Sequence, residues 1–203
     1  MLLGDYFYNI NSNYKKFFFS GISFNSNKIV KDNIFFAIKG NKLNGANFIL
    51  HAIKNGSKII ITEHENEGLK NNILYIKVKN IRKLLAEVSF KIYNKIPKNI
   101  IAVTGTNGKS SVADFYYQIL KLNNIKVASI GTLGVKSKNF NQNLSNTTTD
   151  PIKLAQILVR LKRQKIENVI LEASSHGLKQ NRLDGLKFNS GIFTNLSQDH
   201  LDY

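Results

Sequence analysis

Residues 99–122 have the sequence NIIAVTGTNGKSSVADFYYQILKL, and this stretch decides the fold. Residues 99–104 carry few polar side chains, which predicts a strand buried on both faces of a parallel sheet. Residues 109–122 carry apolar side chains at helical spacing, which predicts an amphipathic helix. The side chains expected to face inward are Val112, Phe115, Tyr116 and Ile119. A glycine-containing loop joins the two elements, and this order of strand, loop and helix predicts a phosphate-binding loop.

The loop itself supplies the groups that bind phosphate. Gly105 and Gly108 allow backbone N–H groups to approach the oxygens, and the start of the helix adds its dipole. Lys109 can neutralise the β and γ oxygens, and the hydroxyl of Ser110 can bind Mg²⁺. Val103 stands where the usual motif has its first glycine, so the loop has the shorter form G-x-x-G-K-S. The alternative is a glycine-rich turn before a helix with a surface lysine.

The rest of the second half alternates strands with helices. Strands are predicted at residues 126–130, 168–172 and 190–194, and a helix at 150–163. The inward side chains of that helix are expected to be Leu154, Ala155, Leu158 and Leu161. The alternation predicts an open parallel α/β sheet.

A carboxylate lies at the edge of this predicted sheet. Glu172 ends a buried strand, and ligand sites of α/β sheets lie at that edge. Glu172 and the Ser110 hydroxyl are therefore candidate Mg²⁺ ligands, expected within roughly 3–4 Å of each other around an ion. The alternative for Glu172 is an ordinary carboxylate at a strand end.

The first half predicts a smaller α/β domain. Strands are expected at residues 33–39, 58–62 and 73–78, and helices at 46–55 and 80–94. Asn80 is expected to cap the second helix. Pro97 then interrupts the pattern, so we predict domains at 1–96 and 97–203.

Composition excludes several classes of protein. The 203 residues are 42% hydrophobic and contain no cysteine, which excludes disulfides and thiolate metal sites. No apolar run could span a bilayer and no signal peptide is evident, so a cytoplasmic protein is expected. The net charge of +16 comes from scattered lysines. It favours a basic surface suited to anionic substrates, with a nucleic-acid-binding module as the alternative.

Several sequence blocks carry a family resemblance. The sequence VTGTNGKSS at 103–111 resembles the phosphate loop of the Mur ligases and of their folate-polyglutamate relatives. The blocks NTTT at 146–149, EASSHGL at 172–178 and FTNLSQDHLDY at 193–203 resemble that family in the same order. The last two blocks resemble the branch that adds the third amino acid to the peptidoglycan precursor.

This resemblance implies an activity. The expected reaction is ATP-dependent amide ligation, in which UDP-N-acetylmuramoyl-L-alanyl-D-glutamate is activated as an acyl phosphate and receives diaminopimelate, rather than lysine. ATP and Mg²⁺ are the implied cofactors. The protein is expected to be a monomer without nucleic-acid or membrane partners. The alternatives within the superfamily are the pentapeptide-forming ligase and folylpolyglutamate synthase.

The resemblance also implies site residues. The ATP loop would comprise Gly105, Thr106, Asn107, Gly108, Lys109, Ser110 and Ser111. Metal ligands would be Ser110, Glu172 and His200, the last beside Asp199, and the catalytic residues would be Lys109, Glu172 and His200. Precursor contacts in the second domain would be Asn146, Thr147, Thr148, Ser174, Gln180 and Arg182. His176 is expected to have a structural role, because no nucleophile lies near it in the sequence.

The first domain resembles the family less closely. Contacts with the uridine nucleotide would come from Phe24, Ser26, Asn41, Lys42 and Leu43. Where the family has D-S-R and D-G, this sequence has Asn25-Ser26-Asn27 and Asn44-Gly45. The family also places a carbamylated lysine, the adenine pocket and an amino-acid-binding domain beyond the last residue of this sequence. The choice between diaminopimelate and lysine is therefore expected to depend on residues outside it.

Overall fold

The computed structural model describes residues 1–8, 10–40 and 43–197. It divides into two compact units, the first ending at Ile92 and the second beginning at Tyr93. Residues 94–97, which include Pro97, lie in neither a helix nor a strand. Within the described residues, each unit contains its own sheet of five strands.

The first unit contains a mostly parallel sheet with short helices. Its strands are β1 (Gly21–Ser23), β2 (Asn33–Phe36), β3 (Ile59–Thr62), β4 (Gly68–Lys70) and β5 (Ile73–Lys77). Its α-helices are α1 (Leu3–Tyr6), α2 (Ile49–Lys54) and α3 (Ile81–Ile92), and 3-10 turns lie at Ser12–Tyr14, Ser26–Lys28 and Gly45–Phe48. The strand order is β1-β2-β3-β5-β4, with only β4 antiparallel to its neighbour.

The core of the first unit forms where the sequence is continuously apolar. Every residue of β2 and β3 is buried, as expected for parallel strands covered on both faces. Helix α3 buries Ile81, Leu85 and Val88. The predicted cap is confirmed, because Asn80 Oδ1 accepts a hydrogen bond of 2.9 Å from the Lys83 amide.

The second unit contains the predicted strand–loop–helix. Its strands are β6 (Asn99–Thr104), β7 (Val127–Gly131), β8 (Gly134–Ser137), β9 (Asn168–Glu172) and β10 (Ser190–Phe193). Its helices are α4 (Lys109–Leu122), α5 (Pro151–Arg163) and α6 (Ser175–Lys179). The strand order is β10-β6-β9-β7-β8, so β6 and β9 lie side by side. The ends of these two strands carry the phosphate loop and Glu172.

Helix α5 forms as its sequence predicts. Asp150 caps it by accepting a hydrogen bond from the Lys153 amide, and Pro151 occupies the first turn. The side chains of Leu154, Ala155, Leu158 and Leu161 are all buried, which confirms the predicted inward face.

The predicted inward face of α4 is partly wrong. Phe115 and Ile119 are 62% and 58% exposed. The face that packs instead contains Ala113, which is buried with Val103 and Ile170, and half-buried Val112 and Tyr116 beside them. Phe115 and Ile119 lie on a different side of α4 from Ala113 and are exposed. Apolar periodicity identified the helix but not the exact face that packs.

The other differences concern short or antiparallel elements. The sheets are mixed, not purely parallel, because β4 and β8 run antiparallel to β5 and β7. Sequence periodicity missed α1, β1, β4, β8 and α6, which have three to five residues each. The strand predicted at 33–39 ends at Phe36, and the helix predicted at 46–55 begins as a 3-10 turn. Among the described residues, no helix is long and apolar enough to cross a membrane.

Candidate nucleotide and metal site

The phosphate loop lies between β6 and α4, as predicted. Gly105 has φ +134° and Gly108 has φ +83°, and both values lie in the region where residues with a Cβ are strained. Lys109 begins α4, and its Nζ donates hydrogen bonds of 2.6 Å to Gly105 O and 2.8 Å to Thr106 O. The ammonium group therefore lies against the first part of the loop. The N–H groups of the first helical turn have no acceptor within the helix.

Glu172 and Ser110 meet beside this loop. The Ser110 hydroxyl donates a hydrogen bond of 2.9 Å to Glu172 Oε2. The predicted proximity of the two side chains is therefore confirmed. Glu172 is only 1% exposed. A carboxylate so deeply buried requires several hydrogen-bond donors, because burial removes its water.

Thr132 supplies two of those donors, and the sequence did not indicate it. Its amide donates a hydrogen bond of 3.0 Å to Glu172 Oε1, and its hydroxyl donates one of 3.0 Å to Oε2. Thr132 lies in the turn between β7 and β8, the hairpin that sequence periodicity missed. Both carboxylate oxygens are thus held by groups from two other segments of the chain.

Gly131 makes this arrangement possible. A Cβ at this position would lie 2.1 Å from Glu172 Oε1 and 2.3 Å from Cδ. The last residue of β7 must therefore lack a side chain for the carboxylate to lie against the backbone. A glycine at the end of a strand is the only sequence signal that could have indicated this contact.

The side chains around Glu172 provide part of the ligand set that a hard divalent cation requires. A hydroxyl and a carboxylate are oxygen ligands of the kind Mg²⁺ accepts, and Mg²⁺ usually keeps several water ligands. Within the described residues, no group of three or more His, Cys, Asp or Glu side chains could hold a metal. His200 and Asp199, which the resemblance implied as further metal-site residues, lie outside the described residues.

A second polar cluster lies at the adjoining ends of β9 and α6. The Thr148 hydroxyl donates to Glu172 O at 2.9 Å, lies 3.0 Å from Ser174 Oγ and accepts from the Ser174 amide. Arg182 donates through Nη1 to Thr148 O, and through Nε and Nη2 to Gln180 Oε1 at 3.2 and 2.7 Å. Four of the six predicted precursor contacts in this unit therefore form one hydrogen-bonded group.

The other two predicted precursor contacts, Thr147 and Asn146, have different surroundings. The Thr147 hydroxyl lies 3.0 Å from the Thr132 hydroxyl, which links the second cluster to the carboxylate site. Asn146 is exposed, and its side chain reaches Ser145 Oγ at 3.4 Å. His176 is half-buried in α6, where it has interaction partners.

The predicted uridine contacts lie in the first unit. Ser26 is buried, and its hydroxyl lies 3.0 Å from His51 Nδ1. Phe24 and Leu43 are exposed by 41% and 66%. Asn41 and Lys42 lie outside the described residues. His51, on α2, is a neighbour of Ser26 that the sequence did not indicate.

The departures from the family sequence in this unit are turn residues. The Asn25 side chain accepts a hydrogen bond of 2.9 Å from the Asn27 amide. The Asn44 side chain accepts one of 3.1 Å from the Ala46 amide. Asparagine and aspartate both cap turns through a side-chain oxygen, so the local backbone does not require the acid. Gly45 is required, because a Cβ there would lie 2.5 Å from Ile38 N and O.

Two side chains of α4, Asp114 and Tyr116, have shifted pKa values. Hydrogen bonding to Lys136 of β8 holds the pKa of Asp114 below its usual value of 3.8, and a hydrogen bond from Gln118 adds to this. Lys136 Nζ lies 3.1 Å from Asp114 Oδ1. Burial raises the pKa of the Tyr116 hydroxyl. The Asp114–Lys136 pair fastens α4 to the β7–β8 hairpin that carries Thr132.

A parallel strand that ends in a glycine–lysine–serine loop, followed by a helix, defines the class of phosphate-loop α/β proteins. Comparison with protein families narrows the class. The family model described as the Mur ligase middle domain matches residues 103–203, and the one described as the Mur ligase family, catalytic domain, matches residues 19–93. The chain therefore belongs to the Mur ligase family.

Curated relatives point to one branch of that family. A UDP-N-acetylmuramoyl-L-alanyl-D-glutamate–2,6-diaminopimelate ligase of Rickettsia prowazekii is 41% identical over 200 residues, covering 97% of this chain and 41% of the relative. The enzyme of the same name from Wigglesworthia glossinidia brevipalpis is 42% identical over 203 residues, covering 96% and 41%. The chain thus spans 41% of the length of these relatives.

Solved structures agree with the observed fold. A structure of a UDP-N-acetylmuramoyl-L-alanyl-D-glutamate–2,6-diaminopimelate ligase superposes with a TM-score of 0.82 at 29% identity, covering 98% of this chain and 41% of that one. A MurF ligase from Thermotoga maritima, solved in complex with ADP, superposes with a TM-score of 0.55 at 21% identity, covering 89% and 38%. The second likeness concerns the fold alone.

Proposed function

We propose that this chain forms the nucleotide- and precursor-binding part of an ATP-dependent ligase. The enzyme would join diaminopimelate to UDP-N-acetylmuramoyl-L-alanyl-D-glutamate. The γ-phosphoryl group of ATP passes to the precursor carboxylate, which releases ADP and forms an acyl phosphate. The amine of the amino acid then attacks the acyl carbon, which forms the amide bond and releases inorganic phosphate. The curated relatives, at 41–42% identity, bear the name of this ligase.

The observation that carries the proposal is the position of Glu172 and Ser110 beside the phosphate loop. Phosphoryl transfer is catalysed chiefly by positioning and by neutralisation of charge. Lys109 would neutralise phosphate oxygens, and the N–H groups at the start of α4 would bind them. Ser110 and Glu172 would hold Mg²⁺, which would neutralise part of the phosphate charge. Thr132 fixes the direction of the Glu172 carboxylate through two hydrogen bonds of 3.0 Å.

Precursor recognition is proposed for the group around Arg182. Its guanidinium is held by Thr148 O and Gln180 Oε1, so its orientation is set before any substrate binds. A planar guanidinium can pair with a carboxylate or a phosphate through two hydrogen bonds. Thr147 and Ser174 add neutral donors near it. The uridine end of the precursor is assigned to the first unit, with Ser26, Phe24 and Leu43 as its proposed contacts.

Direct binding measurements test both assignments on this chain. Isothermal titration calorimetry with ATP, with and without MgCl₂, tests the phosphate loop, and titration with UDP-N-acetylmuramoyl-L-alanyl-D-glutamate tests the precursor site. We expect ATP to bind more tightly with Mg²⁺, and Lys109→Ala to lose that binding. A chain that binds neither ligand would overturn the proposal.

The same experiment separates the alternative functions. UDP-N-acetylmuramoyl-tripeptide and dihydropteroate are the matched ligands for the pentapeptide-forming ligase and for folylpolyglutamate synthase. A preference for either would redirect the assignment within the family. Tight DNA or RNA binding that weakens steeply with salt, without binding of the muramoyl precursor, would favour the nucleic-acid alternative.

A further inference from the structure

Thr194, Asn195 and Ser197 form hydrogen bonds with the first part of the phosphate loop, at residues 104–107. They follow β10, which pairs with β6, so both strands end at the same edge of the sheet. The Thr194 amide donates to Thr104 O at 3.0 Å and continues the ladder past the strand end. The Thr106 hydroxyl then accepts from the Ser197 amide at 3.0 Å and donates to Ser197 O at 3.1 Å. Thr194 and Ser197 are thus hydrogen-bonded to Thr104 and Thr106.

Asn195 forms three hydrogen bonds with the backbone of the loop. Its carbonyl O accepts from the Thr106 amide at 3.0 Å. Its side-chain Oδ1 accepts from the Asn107 amide at 3.0 Å, and its Nδ2 donates to Asn107 O at 3.2 Å. The amide side chain therefore bonds to both polar groups of the Asn107 backbone, as a neighbouring strand would. Asn107 O accepts a second hydrogen bond, of 2.6 Å, from the Thr194 hydroxyl.

Gly105 shows how close this contact is. A Cβ on Gly105 would lie 2.1 Å from Thr194 Oγ1 and 2.9 Å from Asn195 O. The glycine is therefore required by the approach of the second segment as well as by its own φ of +134°.

We infer that Thr194 and Asn195 are positioning residues that fix the first half of the phosphate loop. As a result, different N–H groups of the loop stabilise its shape and bind the phosphates. The N–H groups of Thr106 and Asn107 are engaged by Asn195, so they stabilise the loop. The phosphates then bind to the N–H groups at the start of α4 and to Lys109, whose Nζ is itself positioned by Gly105 O and Thr106 O. The inference deepens the proposed function and rests on it for the identity of the ligand, but the shape of the loop can be tested without any ligand.

Matched substitutions separate the hydrogen bonds from the bulk of the side chains. Thr194→Val removes the hydroxyl at nearly constant volume, and Thr194→Ser restores it. Asn195→Asp retains the acceptor for the Asn107 amide, loses the donor to Asn107 O and adds a negative charge beside the loop. Hydrogen–deuterium exchange of the peptides covering 104–108 reports the loop, and peptides from α5 and β9 report the rest of the unit.

We expect Thr194→Val to exchange faster at 104–108 with α5 and β9 unchanged, and to bind Mg-ATP about three- to tenfold more weakly, the factor for one neutral hydrogen bond. Thr194→Ser should restore both quantities, which a general loss of packing would not allow. Asn195→Asp should weaken Mg-ATP binding more than Thr194→Val does, because its charge repels phosphate. If Thr194→Val fails to fold, faster exchange confined to 104–108 in Asn195→Asp supports the inference.

Unchanged loop exchange in both Thr194→Val and Asn195→Asp would overturn the inference, whatever the affinity for ATP. Failure of the wild-type chain to bind ATP would instead contradict the proposed function. Loop exchange in the same variants would still decide the role of Thr194 and Asn195.

Discussion

Ser110 donates a hydrogen bond of 2.9 Å to the carboxylate of Glu172, a residue 62 positions further along the chain. The hydroxyl belongs to the first turn of α4 and the carboxylate to the end of β9. This single contact joins the phosphate loop to a buried acid at the same edge of the sheet. It brings together the two side chains that we propose would hold Mg²⁺ beside the phosphates.

Lys109 is the first test of the phosphate loop. Lys109→Ala should lose about 3–4 kcal/mol of phosphate stabilisation, by analogy with other preorganised electrostatic groups. Loss of ATP binding in calorimetry, with an unchanged circular dichroism spectrum, is the expected result. Lys121→Ala, in the last turn of the same helix, is the control for loss of positive charge. Equal ATP affinity in Lys109→Ala and wild type would rule out the phosphate role.

Glu172→Gln tests the cation site. The substitution keeps the shape of the side chain and removes its charge, so the gain in ATP affinity on adding Mg²⁺ should shrink. The expected loss is at least the factor of about 10–100 that removal of an outer-shell partner causes at metal sites. Calorimetric titration of ATP at several Mg²⁺ concentrations measures it. Ser110→Ala should reduce the same Mg²⁺ dependence, and an unaltered dependence in both variants would contradict the assignment.

Gly131→Ala tests the close approach of the Glu172 carboxylate to β7. The added Cβ would lie 2.1 Å from Glu172 Oε1, so the carboxylate must move or the strand must shift. Overpacking of this kind costs about 1–3 kcal/mol of unfolding free energy. Urea denaturation measures the change. Gly191→Ala in β10 is the matched control, because among the described residues no atom other than those of its chain neighbours lies within 4 Å of its added Cβ. Equal stability of the two variants would contradict the geometry.

Arg182→Lys tests precursor binding independently of ATP. Lysine keeps the positive charge but cannot form the two-pronged contact of a guanidinium, so binding of UDP-N-acetylmuramoyl-L-alanyl-D-glutamate should weaken about tenfold or more, the scale of one charged hydrogen bond. Affinity for Mg-ATP should be retained. Arg163→Lys, an exposed position in the last turn of α5, is the control. Retained precursor affinity in Arg182→Lys would move the recognition site elsewhere.

The Asp114–Lys136 pair should make stability depend on acid pH. The folded-state pKa of Asp114 lies below 3.8, so the unfolded chain binds more protons in this range. The stabilisation is therefore complete above the unfolded pKa and is lost as the pH falls through the folded pKa. Asp114→Asn should flatten that part of the profile of unfolding free energy against pH.

Lys136→Gln should flatten the same part of the profile, because it removes the main cause of the shift. The double variant should add nothing further. Denaturant titrations repeated across the acid range measure all four proteins. Parallel profiles for the wild type and Asp114→Asn would show that the pair does not contribute.

Local sequence predicted the elements with strong, long patterns. The boundaries of β6, α4 and β9 agree with prediction, and Asn80 caps α3 as predicted. It missed Thr132 and Gly131, because neither carries a charge or belongs to a long periodic element. Their roles depend on a hairpin whose second strand, Gly134–Ser137, is too short for periodicity to indicate.

The sequence by itself determined the class of fold and the chemistry of the candidate site. Apolar runs, glycines and the Gly108-Lys109-Ser110 triplet act over neighbouring residues, so their structural consequences can be predicted from the local sequence. Only the tertiary structure decided which face of α4 packs and which groups hold Glu172. It also decided that the Asn195 side chain accepts a hydrogen bond from the amide of Asn107. The hydrogen bonds at Glu172 and Asn107 join residues 40 to 88 positions apart, and they form because parallel strands bring their carboxyl ends to one edge.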